Sequence, residues 1–156
     1  MTRSFTGTLA MTLCGVTGCS SSNSPDYGPP SATTAIELVQ TGGFAAGNVR
    51  SVKIVGTAAT YTAGDRTDQA TIATADVAAM IDALEQVDFL ALHGDYTTCV
   101  NPSTDQPNVT ITVALAAGMN RVVHYLGCAG GTFDDLAALD AHIFEDSGFA
   151  AWVATR

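Results

Sequence analysis

Cysteine and histidine are the residues of this chain whose types and spacing could do chemistry. Cys99 and Cys128 lie in the same region as His93 and His124. In an oxidising compartment two such cysteines most plausibly form a disulfide. The four side chains could instead hold zinc, although the C-x-x-C spacing typical of zinc sites is missing. A nucleophilic pair of Cys99 and His124 is the third alternative. The disulfide is the favoured interpretation, and the metal site stays open at this point.

Other patterns of catalytic residues are missing from the sequence. There is no G-x-S-x-G nucleophile elbow, no H-E-x-x-H zinc motif, no phosphate-binding loop and no dinucleotide fingerprint. His124 shares a strand face with Val122 and Leu126, which is typical of a packed or rim histidine. We therefore expect a protein that is not an enzyme, with no catalytic residues, no cofactor and no metal.

Acidic residues are concentrated near the end of the chain. Five of them lie on a predicted helix and at its exit: Asp134, Asp135, Asp140, Glu145 and Asp146. Such residues usually form a solvated helix face, with the first two placed favourably at the positive end of the helix dipole. The alternative is a docking surface for a basic partner.

The first residues resemble the signal of a bacterial lipoprotein. A short positive start is followed by an apolar stretch at 5–16, which is far too short to span a bilayer. Val16-Thr17-Gly18-Cys19 then resembles a lipobox. We expect residues 1–18 to be a lipoprotein signal peptide, with cleavage before Cys19 and lipidation of its sulfur. The alternative is an ordinary secretory signal with a chance cysteine.

Composition and charge extend this interpretation. Residues 19–33 are rich in Ser, Asn, Pro and Gly, which predicts a lipid-anchored flexible linker. Acyl chains buried in lipid would hold the protein at a membrane of the bacterial cell envelope, after export across the inner membrane. The net charge of -9, from 15 acidic and 6 basic residues, excludes nucleic acid as a favoured partner. We therefore expect a protein partner.

Hydrophobic periodicity predicts the fold of residues 34–156. Alternation of period two indicates strands, and spacing of three and four indicates helices. The segments TAIELVQ, VRSVKIV, AATYTAG, NVTITVALA and RVVHYLG fit strands, and two segments around Val77–Val87 and Leu136–Ile143 fit helices. We expect a single α+β domain in the order β-β-β-α-β-β-α. It would have one antiparallel sheet of about five strands with two helices packed on one face.

One stretch is similar to a known family. The segment IELVQTGGFAAGNVRSVKI, residues 36–54, resembles the start of emfourin, a family of small bacterial inhibitors of thermolysin-like metallopeptidases. The resemblance continues through a helix ending in VDFLAL, the hairpin VTITVALAAGMNRVVHYLG and a helix with LAAL, and it covers most of residues 35–144. This chain departs from the family pattern at residues 56–70, at Trp152, at the cysteine pair and in its lipid anchor.

The second half of the chain also resembles a domain of exported bacterial proteins that has no assigned activity. Its pattern is carried by Phe89, Leu92, Tyr96, Asp105, Tyr125 and Trp152-Val153. Two functional expectations follow from the resemblances. The first is a membrane-anchored lipoprotein with an emfourin-like protease inhibitor domain, and the second is an envelope accessory lipoprotein that binds another protein and inhibits nothing.

The emfourin resemblance implies a partner-binding site at Gly42, Gly43 and Phe44. An aromatic side chain that projects from a glycine loop suits a peptidase cleft. The alternative places Phe44 in the core of the domain.

Overall fold

The computed structural model describes residues 26–43 and 49–155, which form one sheet and three α-helices. Cys19, the signal peptide and Phe44 lie outside the described residues. The strands are β1 (Ala35–Gly42), β2 (Arg50–Val55), β3 (Ala58–Ala63), β4 (Arg66–Thr71), β5 (Asp95–Tyr96), β6 (Pro107–Leu115) and β7 (Gly118–Tyr125). The helices are α1 (Thr74–Gln86), α2 (Thr132–Asp146) and α3 (Phe149–Ala154), and a 3-10 turn spans Phe89–Ala91.

The sheet has seven strands in the order β4-β3-β2-β1-β6-β7-β5. Every neighbouring pair is antiparallel except β5 and β7, which run parallel. The α+β class is confirmed. The expected sheet of about five antiparallel strands is wrong, because the sheet is mixed and has seven strands. The expected order with two helices is also wrong, because β4, β5 and a third helix, α3, are additional.

One face of the sheet supplies most of the core. Alternate residues of the central strands are fully buried, as Ile36 and Leu38 are in β1. The residues between them, such as Glu37, face the other side and are partly exposed. Helices α1 and α2 bury their apolar stripes in the same core cluster, with Leu84 and Leu136 among its members. The helices therefore cover one face of the sheet, and the other face meets solvent.

The last helix, α3, packs against the edge of the sheet formed by β3 and β4. The Tyr61 ring of β3 lies 5.9 Å from the Phe149 ring and 5.6 Å from the Trp152 ring. The Tyr61 hydroxyl donates to the Ser147 carbonyl oxygen. Arg66 of β4 lies over the Trp152 indole, 4.5 Å from its centroid. These contacts tie the end of the chain to the polar edge strand.

Residues that precede β1 also contribute to the core. Tyr27 is 2% exposed, and its hydroxyl oxygen accepts a hydrogen bond from the Leu90 backbone N–H at 2.7 Å. Thr34 is buried as well. The packed part of the described chain therefore includes Tyr27, within the range 19–33 that the sequence assigns to the linker.

Candidate functional site

The segment from Thr97 to Gln106, here called the clamped loop, joins β5 to β6. A disulfide connects its Cys99 to Cys128, which follows the end of β7, with the two Cα atoms 5.8 Å apart. The disulfide that the cysteine count indicates is therefore present. It fixes the clamped loop covalently to the sheet end where β6 begins and β7 ends.

Polar contacts hold the clamped loop at further points. The Tyr125 hydroxyl donates to the Ser103 carbonyl oxygen at 2.7 Å, and it accepts from the Gln106 N–H at 3.3 Å. The Ser103 N–H donates to the Gly127 carbonyl oxygen at 2.7 Å. A Cβ atom on Gly127 would lie 2.2 Å from the Ser103 oxygen, so only glycine fits this close approach.

The start of the clamped loop is fixed by an aspartate turn. One oxygen of the Asp95 carboxylate accepts from the Thr97 N–H at 2.9 Å and from the Thr97 hydroxyl at 2.6 Å. These two hydrogen bonds lower the pKa of Asp95, because they favour its charged form. The loop is therefore restrained at its start, its middle and its end.

The tip between Cys99 and Ser103 consists of Val100, Asn101 and Pro102. Val100 is 89% exposed, the highest value among the large apolar side chains that the structure describes. Asn101 has a φ of 55°, in the left-handed region that asparagine tolerates better than most residues. The tip thus presents an apolar side chain to solvent on a backbone of defined shape.

The two glycines of the predicted partner-binding site lie beside the clamped loop. Gly42 ends β1 opposite Pro107 of β6. A Cβ atom on Gly43 would lie 3.5 Å from the Asp105 carbonyl oxygen. Both glycines have a φ near 85°, at 85° and 84°, so they turn the chain away from the strand. The structure brings Gly42 and Gly43 together with the clamped loop at one end of the sheet.

A second polar pair lies inside the domain. His124 of β7 and Asp140 of α2 are 1% and 5% exposed, and His124 Nε2 lies 3.0 Å from Asp140 Oδ2. The two atoms are close but lack good hydrogen-bond alignment, since neither has a well-aligned partner among the described residues. Burial raises the pKa of Asp140, and the neighbouring His124 opposes that rise.

The interpretation of Asp140 as part of a solvated helix face is wrong, whereas Asp134, Asp135 and Glu145 are exposed. The spacing of the helix carries the signal that would have revealed the burial. Asp140 follows the buried Leu136 by four residues, so it shares the apolar stripe with Leu139 and Ile143.

The remaining residues considered for chemistry lie apart. His93 is exposed, and the side chain of His142 is 60% exposed, 3.9 Å from Asp146. Because Cys99 and Cys128 are bonded to each other, they have no free thiolate for zinc or for nucleophilic attack. Within residues 26–43 and 49–155, no three histidine, cysteine or acidic side chains are grouped as a metal site.

Comparisons with known proteins add no relative. No protein-family model matches the chain, and no curated protein matches it.

Across the described ranges, none of the helices has the length and apolar character needed to cross a bilayer.

Proposed function

We propose that this chain is a membrane-anchored bacterial lipoprotein whose domain binds and inhibits a thermolysin-like metallopeptidase. The observation that supports it best is the loop end of the domain, defined as Gly42, Gly43 and the clamped loop. Gly42 and Gly43 lie there beside the clamped loop, which the disulfide and the hydrogen bonds of Ser103 and Tyr125 hold to the sheet. A restrained loop suits a cleft, because little conformational freedom is lost when it binds.

The contacts inside the domain favour binding over catalysis. The His124–Asp140 pair is the closest approach to a catalytic dyad among the described residues, yet both side chains are almost fully buried. A general base must come within hydrogen-bond reach of its substrate. This pair joins β7 to α2 instead, which supports a non-enzymatic domain that acts through its surface.

An inhibition titration tests the proposed function. The full chain, exported by a bacterial host and extracted in detergent, is titrated against several thermolysin-like metallopeptidases with a peptide substrate. We expect stoichiometric inhibition at micromolar or lower concentration, weakened by Phe44→Ala if the family's glycine loop binds the cleft. Inhibition unaffected by Phe44→Ala keeps the function and removes Phe44 from the site.

The rival function is an envelope accessory lipoprotein that binds another protein and inhibits nothing. It shares the anchor and the loop end, and it predicts no inhibition of any peptidase in the titration. Crosslinking in cells would then capture partners that are not peptidases.

The lipid anchor is tested separately. Cys19→Ala removes the sulfur that would carry diacylglycerol, so we expect the variant to leave the membrane fraction or to stay unprocessed. Membrane fractionation identical to that of the unaltered chain would contradict the anchor. Substitution of Cys14 by alanine is the control, since that residue precedes the expected cleavage point.

A further inference from the structure

We propose that Val100, at the tip of the clamped loop, is the apolar anchor of the interface and enters a pocket of the bound peptidase that accepts a branched aliphatic side chain. This inference rests on the proposed function and deepens it. It names a contact residue that lies outside the glycine loop indicated by the family resemblance.

Val100 combines exposure to solvent with a restrained backbone. Single exposed apolar residues are common on protein surfaces. Met119 is such a residue, 81% exposed at the start of β7. Met119 lies in a paired strand, opposite Ala114, whereas Val100 lies in a loop that is held on both sides, by the bond from Cys99 to Cys128 and by the contacts of Ser103 with Gly127 and Tyr125. A side chain held in this way loses little backbone freedom when it binds.

The tip of the clamped loop has no charged side chain. The chain has a net charge of -9, yet residues 99 to 104 carry no ionisable side chain apart from the bonded Cys99. Charged groups are costly to remove from water when they are left without partners. The tip is therefore a neutral part of an acidic molecule, and it can be desolvated in a pocket at low cost.

The shape of the Val100 side chain indicates the kind of pocket that it would enter on the peptidase. Valine is branched at Cβ and has a single χ1 torsion, so its shape is nearly fixed before binding. The side chain is short, and Asn101 turns the chain directly after it. A shallow apolar pocket next to a cleft fits this geometry, whereas a deep pocket for a long or aromatic side chain does not.

Substitution at two exposed apolar positions tests the inference. The full chain is compared with Val100→Asp, Val100→Ile and Met119→Asp in the inhibition titration described above. Val100→Asp places a charge in the apolar pocket, so we expect its inhibition constant to rise at least tenfold. Val100→Ile keeps a branched aliphatic side chain and should stay within a few-fold of the unaltered chain. Met119→Asp is the matched control and should have no effect.

The outcomes separate this inference from the proposed function. Inhibition by the unaltered chain that Val100→Asp leaves intact overturns the inference and keeps the function. Equal weakening by Val100→Asp and Met119→Asp also overturns it, because the effect would then be one of overall charge. No inhibition by the unaltered chain overturns both. Thermal unfolding of each variant shows that the fold is retained, as expected for side chains that are 89% and 81% exposed.

Discussion

At the residue scale, the most informative pair is His124 and Asp140. The sequence indicates a packed histidine at position 124, and its near-complete burial agrees with that. The aspartate is harder to recognise, because acidic residues are rarely buried without partners. Its place on the apolar stripe of α2 is the signal, and the histidine on β7 provides the compensating contact.

Substitution of Asp140 should change how stability depends on pH. The pKa of this carboxyl is raised in the folded chain by burial. Such a group stabilises the fold below its unfolded pKa of about 4 and loses that contribution as the pH rises through the folded pKa. We therefore expect Asp140→Asn to gain stability relative to the unaltered chain as the pH rises from the unfolded pKa of about 4 through the raised pKa of the folded carboxyl.

Urea unfolding at a series of pH values measures this difference. At each pH, the free energy of unfolding of the unaltered chain is subtracted from that of Asp140→Asn, so that contributions common to both chains cancel. Circular dichroism of both chains confirms the folded baseline. A gap that stays constant over the series would contradict the raised pKa.

At the element scale, the sequence predicts the strands and helices that bury apolar side chains. Strands β1, β2, β3, β6 and β7 and helices α1 and α2 each place alternating or helically spaced apolar residues in the core, so their patterns predict them. Strand β4 has the sequence RTDQAT, and most of its residues are exposed. It is held by backbone pairing to β3 and leaves no apolar alternation to detect.

The other elements that the sequence does not predict are short. Strand β5 has two residues and α3 has six, which is too few for a hydrophobic pattern to repeat clearly. In the candidate site, the sequence reveals the cysteine pair and the glycines. It does not reveal the exposure of Val100, because that exposure depends on how the disulfide and Tyr125 hold the clamped loop against the sheet.

The contact between α3 and the sheet edge should control the stability of β4. Trp152 contacts Tyr61 and Arg66, and its Nε1–H donates to Asp68 Oδ2 at 3.2 Å. We expect Trp152→Ala to lower the free energy of unfolding by about 1–2 kcal/mol through lost aromatic and cation–π contacts. Amide hydrogens of β4 should exchange faster, while those of the central strand β1 change less.

Trp152→Phe provides the matched variant. It keeps a ring against Tyr61 and loses the hydrogen bond to Asp68, so its effect should lie between those of the unaltered chain and Trp152→Ala. Unchanged exchange in β4 for Trp152→Ala would show that the edge strand is independent of α3.

At the scale of the whole molecule, the positive charges of the described residues lie in the sheet, which also carries Glu37, Asp68 and Asp95. Every charged side chain of the three helices is acidic apart from the titratable His142. The lysine and arginines of the described residues all lie on strands: Arg50, Lys53, Arg66 and Arg121. The acidic first turn of α2 lies near the loop end, since the ring of Phe133 is 6.2 Å from the ring of Tyr96, which directly precedes the clamped loop.

The chain before β1 should be needed for the stability of the whole domain. Tyr27 is packed in the core and accepts a hydrogen bond from the Leu90 N–H. We expect Tyr27→Ala to lower the free energy of unfolding by about 3–5 kcal/mol, as for other buried aromatic residues. Tyr27→Phe keeps the ring and leaves the Leu90 N–H without this partner, so a loss of about 1–3 kcal/mol is expected.

Urea denaturation of the full chain and of both variants measures these losses. A fragment that begins after residue 33 should behave like Tyr27→Ala, and one that begins at residue 26 should not. If Tyr27→Ala were as stable as the unaltered chain, the segment before β1 would be dispensable for folding.

The bond between Cys99 and Cys128 closes a covalent ring that contains both β6 and β7. A protease that cut one peptide bond at the tip would therefore release no fragment. The two pieces would stay linked through sulfur, and the antiparallel pairing of β6 with β7 and with β1 would keep the cut ends in place. On a denaturing gel, scission would separate the two pieces only after reduction of the disulfide.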